Sequence, residues 1–176
     1  MRKLFKRLGI IVGAIIIGIA ALLFGMRFTD GPIEILTGGP FSSGTLATAP
    51  SDWSYLADRG EIEFQTMDPL RSRIVWLAVY DTRLFIVSGY MNTPLGAIWK
   101  QWPHYLENDN RIILRIDGNL YEHRLKRIME GPEVEPVLSE LARKYFRSNG
   151  TAGDNSFTAA ETVANGDTWM FEVVSR

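Results

Sequence analysis

The strongest constraint on the fold is a hydrophobic stretch that runs from Arg71 to Ser88. It divides at Asp81-Thr82 into two runs that have the length and the β-branched, aromatic composition of strands. The first run is apolar at odd and even positions alike, which is typical of a strand covered on both faces. We therefore expect a central hairpin in the wall of a barrel or beneath a helix.

Further strands are expected on both sides of this hairpin. Residues 61–66 alternate polar and apolar side chains, which indicates a half-buried strand. Asp117-Gly118 is a preferred pair for a two-residue turn, so 111–116 and 119–129 are predicted to form a second hairpin. Residues 168–174 are predicted to form the closing strand.

Two helices are expected among these strands. Residues 136–146 carry an apolar stripe at helical spacing. Residues 95–107 are predicted to begin as a helix that Pro103 makes irregular. Small antiparallel sheets remove their exposed edges by closing into barrels. The predicted fold class is therefore mainly β (α+β): a small antiparallel split β-barrel with two helices, preceded by one transmembrane helix.

The N-terminus indicates a membrane anchor. Leu8–Met26 is an uncharged apolar run, close to the roughly 20 residues that cross a bilayer. A cleaved signal peptide is the alternative, but large side chains follow the small residues 18–21. Four cations precede the run: Arg2, Lys3, Lys6 and Arg7. The positive-inside rule then predicts a single-pass protein with a cytoplasmic N-terminus and its domain on the outer, periplasmic or extracellular side.

These features divide the chain into three parts. Residues 1–27 are the basic tip and anchor, 28–50 a tether rich in Gly, Pro and Ser, and 51–176 the barrel domain. Within the tether, the glycine-rich residues 36–44 could cradle a phosphate with backbone N–H groups. No Lys follows them as in a P-loop, so a plain loop is the favoured interpretation.

Charge and composition exclude several functions. Of 19 basic residues, four precede Leu8, which leaves 15 against 20 acidic residues. This acidic remainder argues against nucleic acid as a partner. The chain has no cysteine and only two histidines, His104 and His123, on different predicted elements. We therefore expect neither a metal site nor a Ser-His-Asp site.

Several motifs resemble the split-barrel superfamily of flavin-binding proteins, which includes pyridoxamine-phosphate-oxidase-like proteins and deazaflavin-dependent nitroreductases. The motifs are Arg71-Ser72-Arg73 entering an apolar strand, Leu84–Ser88, Trp99–Pro103, and the region from Asn110 through Gly118 to Ile128. The similarity covers residues 53–146. It is more specific for the fold than for the activity.

The resemblance implies a cofactor site for FMN or a deazaflavin. Basic and hydroxyl side chains at the strand edges would hold the phosphate, and tryptophans would flank the ring by stacking. The residues implied are Arg71, Ser72, Arg73, Ser88, Trp99, Lys100 and Trp102, with Trp76 as a further ring neighbour. The resemblance also implies a homodimer and a flavin- or deazaflavin-dependent oxidoreductase.

Simpler interpretations remain open for the same residues. The basic side chains could be solvated, and Trp76 alternates within a strand as a core residue does. An exported chain crosses the membrane unfolded, so it would have to acquire a flavin outside the cytoplasm. The alternative function is a non-enzymatic barrel that has lost the cofactor and binds an unknown small molecule or a partner in the cell envelope.

Overall fold

A computed structural model describes residues 2–34, 36–145 and 160–176. Its helices are α1 (Arg2–Gly25), α2 (Pro94–Trp99), α3 (Trp102–Tyr105), α4 (Val134–Tyr145) and α5 (Ala160–Ala164). Single 3₁₀ turns cover Met26–Phe28 and Ser54–Leu56. The strands are β1 (Thr45–Leu46), β2 (Glu61–Met67), β3 (Leu70–Tyr80), β4 (Arg83–Ser88), β5 (Arg111–Ile116), β6 (Asn119–Ile128) and β7 (Trp169–Ser175).

Six of these strands form a closed antiparallel barrel. Their order is β6-β5-β2-β3-β4-β7, and pairing of β6 with β7 closes the ring. The short β1 pairs in parallel with β6 outside the ring. Closure gives each of the six strands a neighbour on both sides. The predicted fold class, a small antiparallel barrel with helices, is confirmed.

The two predicted hairpin turns are both present. Asp81 and Thr82 have φ of 49° and 62°, and Asp117 and Gly118 have φ of 51° and 76°. Two successive positive φ angles define the turn whose twist matches that of the flanking strands. The turns fix the register in which β3 pairs with β4 and β5 with β6.

Two apolar clusters stabilise the barrel. The inner cluster fills its interior and includes Phe64, Leu77, Leu84, Ile112, Leu114 and Phe171. The outer cluster lies between the barrel wall and the helices α4 and α5, and includes Ala78, Phe85, Val137, Leu138, Leu141 and Met170. β4 contributes to both clusters, so it is buried on both faces, as predicted.

β3 departs from the prediction. Trp76 and Tyr80 point to the outside and remain 39% and 38% exposed. The helix α4 covers only part of this outer face. Tyr145 in its last turn stacks on Trp76. The prediction of a strand buried along both faces was therefore wrong for the outer side of β3.

The helical predictions were correct in type and less accurate in extent. α2 ends at Trp99 and a separate turn, α3, begins at Trp102, so the stretch predicted to begin as a helix is divided before Pro103. Pro103 lies in the first turn of α3, where its missing N–H costs little. α4 begins two residues earlier than predicted, and Phe146 lies outside the described residues. The short α5 lies in the polar stretch of residues 147–167. Residues 147–159 of this stretch lie outside the described residues.

α1 has the properties of a membrane-crossing helix. The span Lys3–Phe28 has a mean hydropathy of 2.7 and is long and apolar enough to cross a bilayer. Its large side chains are exposed, for example Ile16 at 60% and Leu23 at 52%.

The segment that follows α1 packs on the barrel, as its apolar residues Ile33, Leu36 and Phe41 indicate. Gly38 forms an antiparallel bridge with Ser72 of β3. Asp30 forms an ion pair with Arg115 of β5 at 2.9 Å. A side chain on Gly38 would collide with the backbone of Gly31, so only glycine allows this close approach. Through these contacts, the segment connects the end of α1 to the barrel wall.

Candidate functional site

The barrel has a split along β3. Residues 70–76 of β3 pair with β2, whereas residues 77–80 pair with β4. β4 pairs with β3 only from Arg83 to Ile86, while its pairing with β7 on the other side continues to Ser88. The two strands therefore diverge, and the half of β3 that carries Arg71 and Arg73 borders an opening in the wall.

A cavity of about 560 Å³ lies at this split. Its walls come from α1, the segment after it, β3, the end of β4 and the two short helices α2 and α3. A volume of this size falls within the roughly 300–1,000 Å³ typical of small-molecule sites. Five of the seven residues predicted from the sequence line it: Arg71, Arg73, Trp99, Lys100 and Trp102.

Arg73 is the most unusual side chain of this cavity. Its Nε is buried and has no hydrogen-bond partner among the described residues. Burial lowers the pKa of Arg73 to about 10, and Tyr105 opposes part of that shift. A buried guanidinium N–H without an acceptor costs free energy unless a ligand supplies one.

Lys100 places a second positive charge near Arg73. Burial and then repulsion by Arg73 lower the pKa of Lys100. Lys100 sits where the chain leaves α2, and its N–H closes that helix on the Gly96 carbonyl oxygen at 2.7 Å. The end of α2 therefore fixes the backbone position of this cation.

The cavity as a whole is cationic. Its charged lining consists of Arg27, Arg71, Arg73 and Lys100 against Glu34 and Glu61. Cations that outnumber carboxylates in a partly dehydrated cleft attract and hold anions. Guanidinium and ammonium groups are permanent donors that suit phosphate or carboxylate oxygens. The arrangement fits an anionic ligand.

Aromatic side chains provide flat walls beside these cations. Trp76, Tyr90, Trp99, Trp102 and Tyr105 all contribute to the lining. Trp102 is 3% exposed and packs edge-on against Phe64 with ring centroids 4.9 Å apart, so it also belongs to the inner core.

Two of these indoles differ in how firmly they are held. Trp76 is fixed by its stack on Tyr145, with centroids 4.5 Å apart and planes at 12°. Trp99 is 60% exposed. Both indoles belong to the cavity lining, and either can offer a flat apolar face to a planar ring.

Two residues predicted for the phosphate site lie apart from the cavity lining. Ser72 is fully buried, and its Oγ donates to the carbonyl oxygen of Gly39. Ser88 is 1% exposed, and its Oγ lies 3.4 Å from the sulfur of Met91. Both hydroxyls serve the packing of neighbouring loops.

The glycine-rich loop after the anchor uses its N–H groups within the protein. Gly38 donates to Ser72 at 2.9 Å, and Gly39 approaches the Thr29 hydroxyl at 3.4 Å. The favoured interpretation as a plain loop agrees with these contacts. Its Thr37 nevertheless lines the cavity.

Sequence reasoning did not assign several lining residues to the site. Tyr90 and Tyr105 lie on loops and short helices whose packing no periodicity reveals. Leu23 lies near the end of α1 and Arg27 in the 3₁₀ turn after it, which local patterns separate from the barrel. The apolar residues Ile33, Ile35, Leu36 and Phe41 were the sequence signal that the segment after α1 packs on the barrel.

These observations define a class: a small antiparallel split barrel with a cationic, aromatic cavity at its split. No family model matches the chain, and no curated protein matches it. Solved structures that are similar include a conserved hypothetical protein from Mycobacterium tuberculosis (TM-score 0.45, 14% identity, covering 74% of this chain and 86% of that one).

Two further similar structures carry flavin- or pyridoxamine-related names. One is a candidate pyridoxamine 5'-phosphate oxidase from Listeria innocua (TM-score 0.43, 8% identity, covering 69% of this chain and 87% of that one). The other is a FAD-binding protein from Mesorhizobium loti (TM-score 0.40, 9% identity, covering 70% and 86%).

Proposed function

We propose that this protein is a membrane-anchored flavin- or deazaflavin-dependent oxidoreductase, and that its cavity binds the cofactor. The observation that carries the proposal is the Nε of Arg73, which is buried and has no hydrogen-bond partner among the described residues. The charge of Arg73 also lies close enough to Lys100 to add to the effect of burial in lowering the pKa of that lysine. Both lie in a cavity that also has aromatic walls. An anionic group on a planar ring system satisfies both features at once.

The residues of the chain would bind and orient such a cofactor. Arg73, Lys100 and Arg71 would hold its phosphate, while Trp76 and Trp99 would contact the ring. A bound flavin or deazaflavin supplies hydride or electron transfer, which no protein side chain here provides. Trp102, buried beneath the cavity, would support its floor.

We propose that the barrel lies on the outer side of the membrane. Four cations precede the apolar helix, and the barrel follows it, so the positive-inside rule favours export of the barrel. α1 then serves as a single-pass anchor.

Flavin binding tests the proposal. The full chain, purified in detergent, should bind FMN or a phosphorylated deazaflavin and shift or quench its absorbance and fluorescence. Riboflavin, which has the same ring as FMN and no phosphate, should bind at least tenfold more weakly, since tenfold corresponds to about 1.4 kcal/mol. Failure to bind FMN, FAD and the deazaflavin would contradict the proposal, and so would equal affinity for FMN and riboflavin.

A second candidate is a non-enzymatic barrel that binds another anion in the cell envelope. The observation that favours it is the position of Leu23 and Arg27, which bring the membrane helix into the cavity wall. This candidate predicts no redox turnover. Reduction of a nitro compound by the full chain with a bound flavin would contradict it.

A further inference from the structure

The apolar helix and the cavity share a wall. Leu23 lies in the last turns of α1 and Arg27 in the 3₁₀ turn that follows. Both line the cavity together with Ile98 and Trp99 of α2. If α1 crosses the bilayer through Leu8–Met26, the cavity wall begins at the level where the helix leaves the hydrocarbon.

The α2 side chains on this wall are apolar and exposed. Ile98 is 76% exposed and Trp99 60% exposed, although both belong to a six-residue helix beside the barrel. Trp is the residue most typical of the membrane–water interface, where its ring contacts acyl chains and its N–H reaches the headgroups. An aliphatic neighbour at that depth would be buried in lipid.

The depth of α2 follows from the attachment of the anchor. The segment after α1 is held to β3 by the Gly38–Ser72 bridge and to β5 by the Asp30–Arg115 ion pair. Within three residues of Met26, the Thr29 hydroxyl donates to the Met26 and Gly31 carbonyl oxygens. The barrel therefore has little freedom to move away from the membrane end of α1.

The charges beside these apolar residues suit a phospholipid surface. Arg27, Arg71 and Lys100 line the same cavity as Ile98 and Trp99. Basic residues near an anionic leaflet are attracted to its surface. Apolar side chains next to cations are the combination by which peripheral helices bind anionic bilayers.

We infer that α2 is a second membrane contact: Ile98 and Trp99 insert into the headgroup region of an anionic bilayer, and the cavity opens at that surface. The inference rests on the proposed anchoring by α1. Ligands that reach the cavity would then do so along the membrane surface. Access along the membrane surface favours amphipathic molecules that have an anionic or polar head and an apolar tail.

Spin-label depth measurement tests the inference in the full chain. The protein has no cysteine, so single labels can be attached without background. Ile98→Cys reports on α2, Ile16→Cys on the middle of α1, and Leu46→Cys on an exposed apolar site of β1, where Leu46 is 69% exposed. Each variant is placed in nanodiscs of phosphatidylcholine and phosphatidylglycerol, and label depth is obtained from collision with oxygen and with a water-soluble nickel chelate.

The inference predicts an Ile98 label about 5–10 Å within the interface, as for interfacial helices, with the Leu46 label in water. The Ile16 label should lie near the bilayer centre. A deep Ile16 label with a water-exposed Ile98 label would overturn the inference and leave the anchor intact. An Ile16 label in water would overturn both.

Trp99→Cys provides a second position on α2, so a single perturbing substitution does not decide the result. FMN affinity is measured separately on the wild-type chain. Flavin binding with α2 in water would contradict only the membrane contact, and α2 at the interface without flavin binding would contradict only the cofactor assignment.

Discussion

At the scale of single residues, two arginines of the barrel differ in how their charge is compensated. Arg115 is 14% exposed in its side chain, and it pairs with Glu63 at 2.5 Å and with Asp30 at 2.9 Å. Its guanidinium also lies 4.3 Å from the Phe41 ring. Arg73 has no comparable acceptor for its Nε within the described residues. The protein itself supplies carboxylate partners for the buried guanidinium of Arg115. It supplies no acceptor for the Nε of Arg73 among the described residues.

Loss of the Arg115 side chain should destabilise the protein. Arg115→Met keeps an apolar stem but leaves Glu63 and Asp30 without their partner, so we expect a loss of about 1.5–3 kcal/mol, typical of hydrogen bonds to charged groups. Thermal unfolding in detergent, followed by circular dichroism, measures the change. Arg111→Met is the matched control, since Arg111 pairs with Asp109 at the surface and should change the melting temperature little. Equal melting temperatures for the two variants would contradict the role of Arg115.

His123 should make stability depend on pH. Burial lowers the pKa of His123 from its ordinary 6.5, partly opposed by the hydrogen bond to Val174. Nδ1 lies 3.0 Å from that carbonyl oxygen and donates to it, while the buried Nε2 has no partner among the described residues. Below pH 6.5 the unfolded chain binds a proton that the folded chain resists, so stability falls as the pH drops and is fully present above 6.5.

The His123→Gln variant should lose this contribution to the pH dependence. Melting temperatures recorded from neutral pH down to the onset of carboxylate titration should fall less steeply for His123→Gln than for wild type. His104→Gln, which removes the only other histidine, should keep the wild-type slope. Parallel slopes for wild type and His123→Gln would show that His123 does not act in this way.

At the scale of elements, α4 packs on the outer wall of the barrel and supports one side chain of the cavity lining, Trp76. Its stripe of Val137, Leu138 and Leu141 is buried against β3 and β4, and its Tyr145 stacks on Trp76. The Tyr145 hydroxyl also donates to the Gly60 carbonyl oxygen. α4 thereby connects core packing to the position of an indole that lines the cavity.

Truncation of this stripe should be costly. Leu141→Ala removes a side chain that is 0% exposed and should lower the free energy of unfolding by about 2–5 kcal/mol, as for other buried leucines. For a chain of this length that corresponds to a drop in melting temperature of roughly 2–4 °C per kcal/mol. Leu46→Ala, at an exposed leucine of β1, is the control and should change little. A Leu141→Ala protein as stable as this control would show that α4 is not packed as described.

The elements were more predictable than the cavity. The alternation in 61–66, the run of 71–88 and the Asp117-Gly118 turn are local patterns, and they determined strands and turns correctly. The divergence of β3 from β4 depends on where their pairing ends, at Leu77 and Ile86, and no local pattern encodes that.

Among the site residues, side-chain chemistry was a better guide than motif membership. Arg71, Arg73 and Lys100 line the cavity. Ser72 alternates with the two arginines and so faces the opposite side, where Gly39 accepts its hydrogen bond. The period-two alternation of a strand is therefore sufficient to separate Ser72 from its two neighbours.

At the scale of the whole molecule, α1, the segment after it and the barrel all contribute residues to the lining of one cavity. The helix end and α2 line one part of it, and the strand split lines another. The cavity lining carries more cations than carboxylates, a balance that favours an anionic ligand. The central claim is that the cations at the split hold the anionic group of a cofactor.

The most direct test of this claim is the affinity for FMN of charge-neutral variants of the full chain. Arg73→Gln and Lys100→Gln should each weaken FMN binding by about tenfold or more, the loss of one charge-assisted hydrogen bond. Riboflavin binding should be nearly unchanged in both variants, because riboflavin carries no phosphate. Arg124→Gln, at an exposed position of β6, is the matched control and should bind FMN like the wild type. FMN affinities that are equal in wild type, Arg73→Gln and Lys100→Gln would contradict the account.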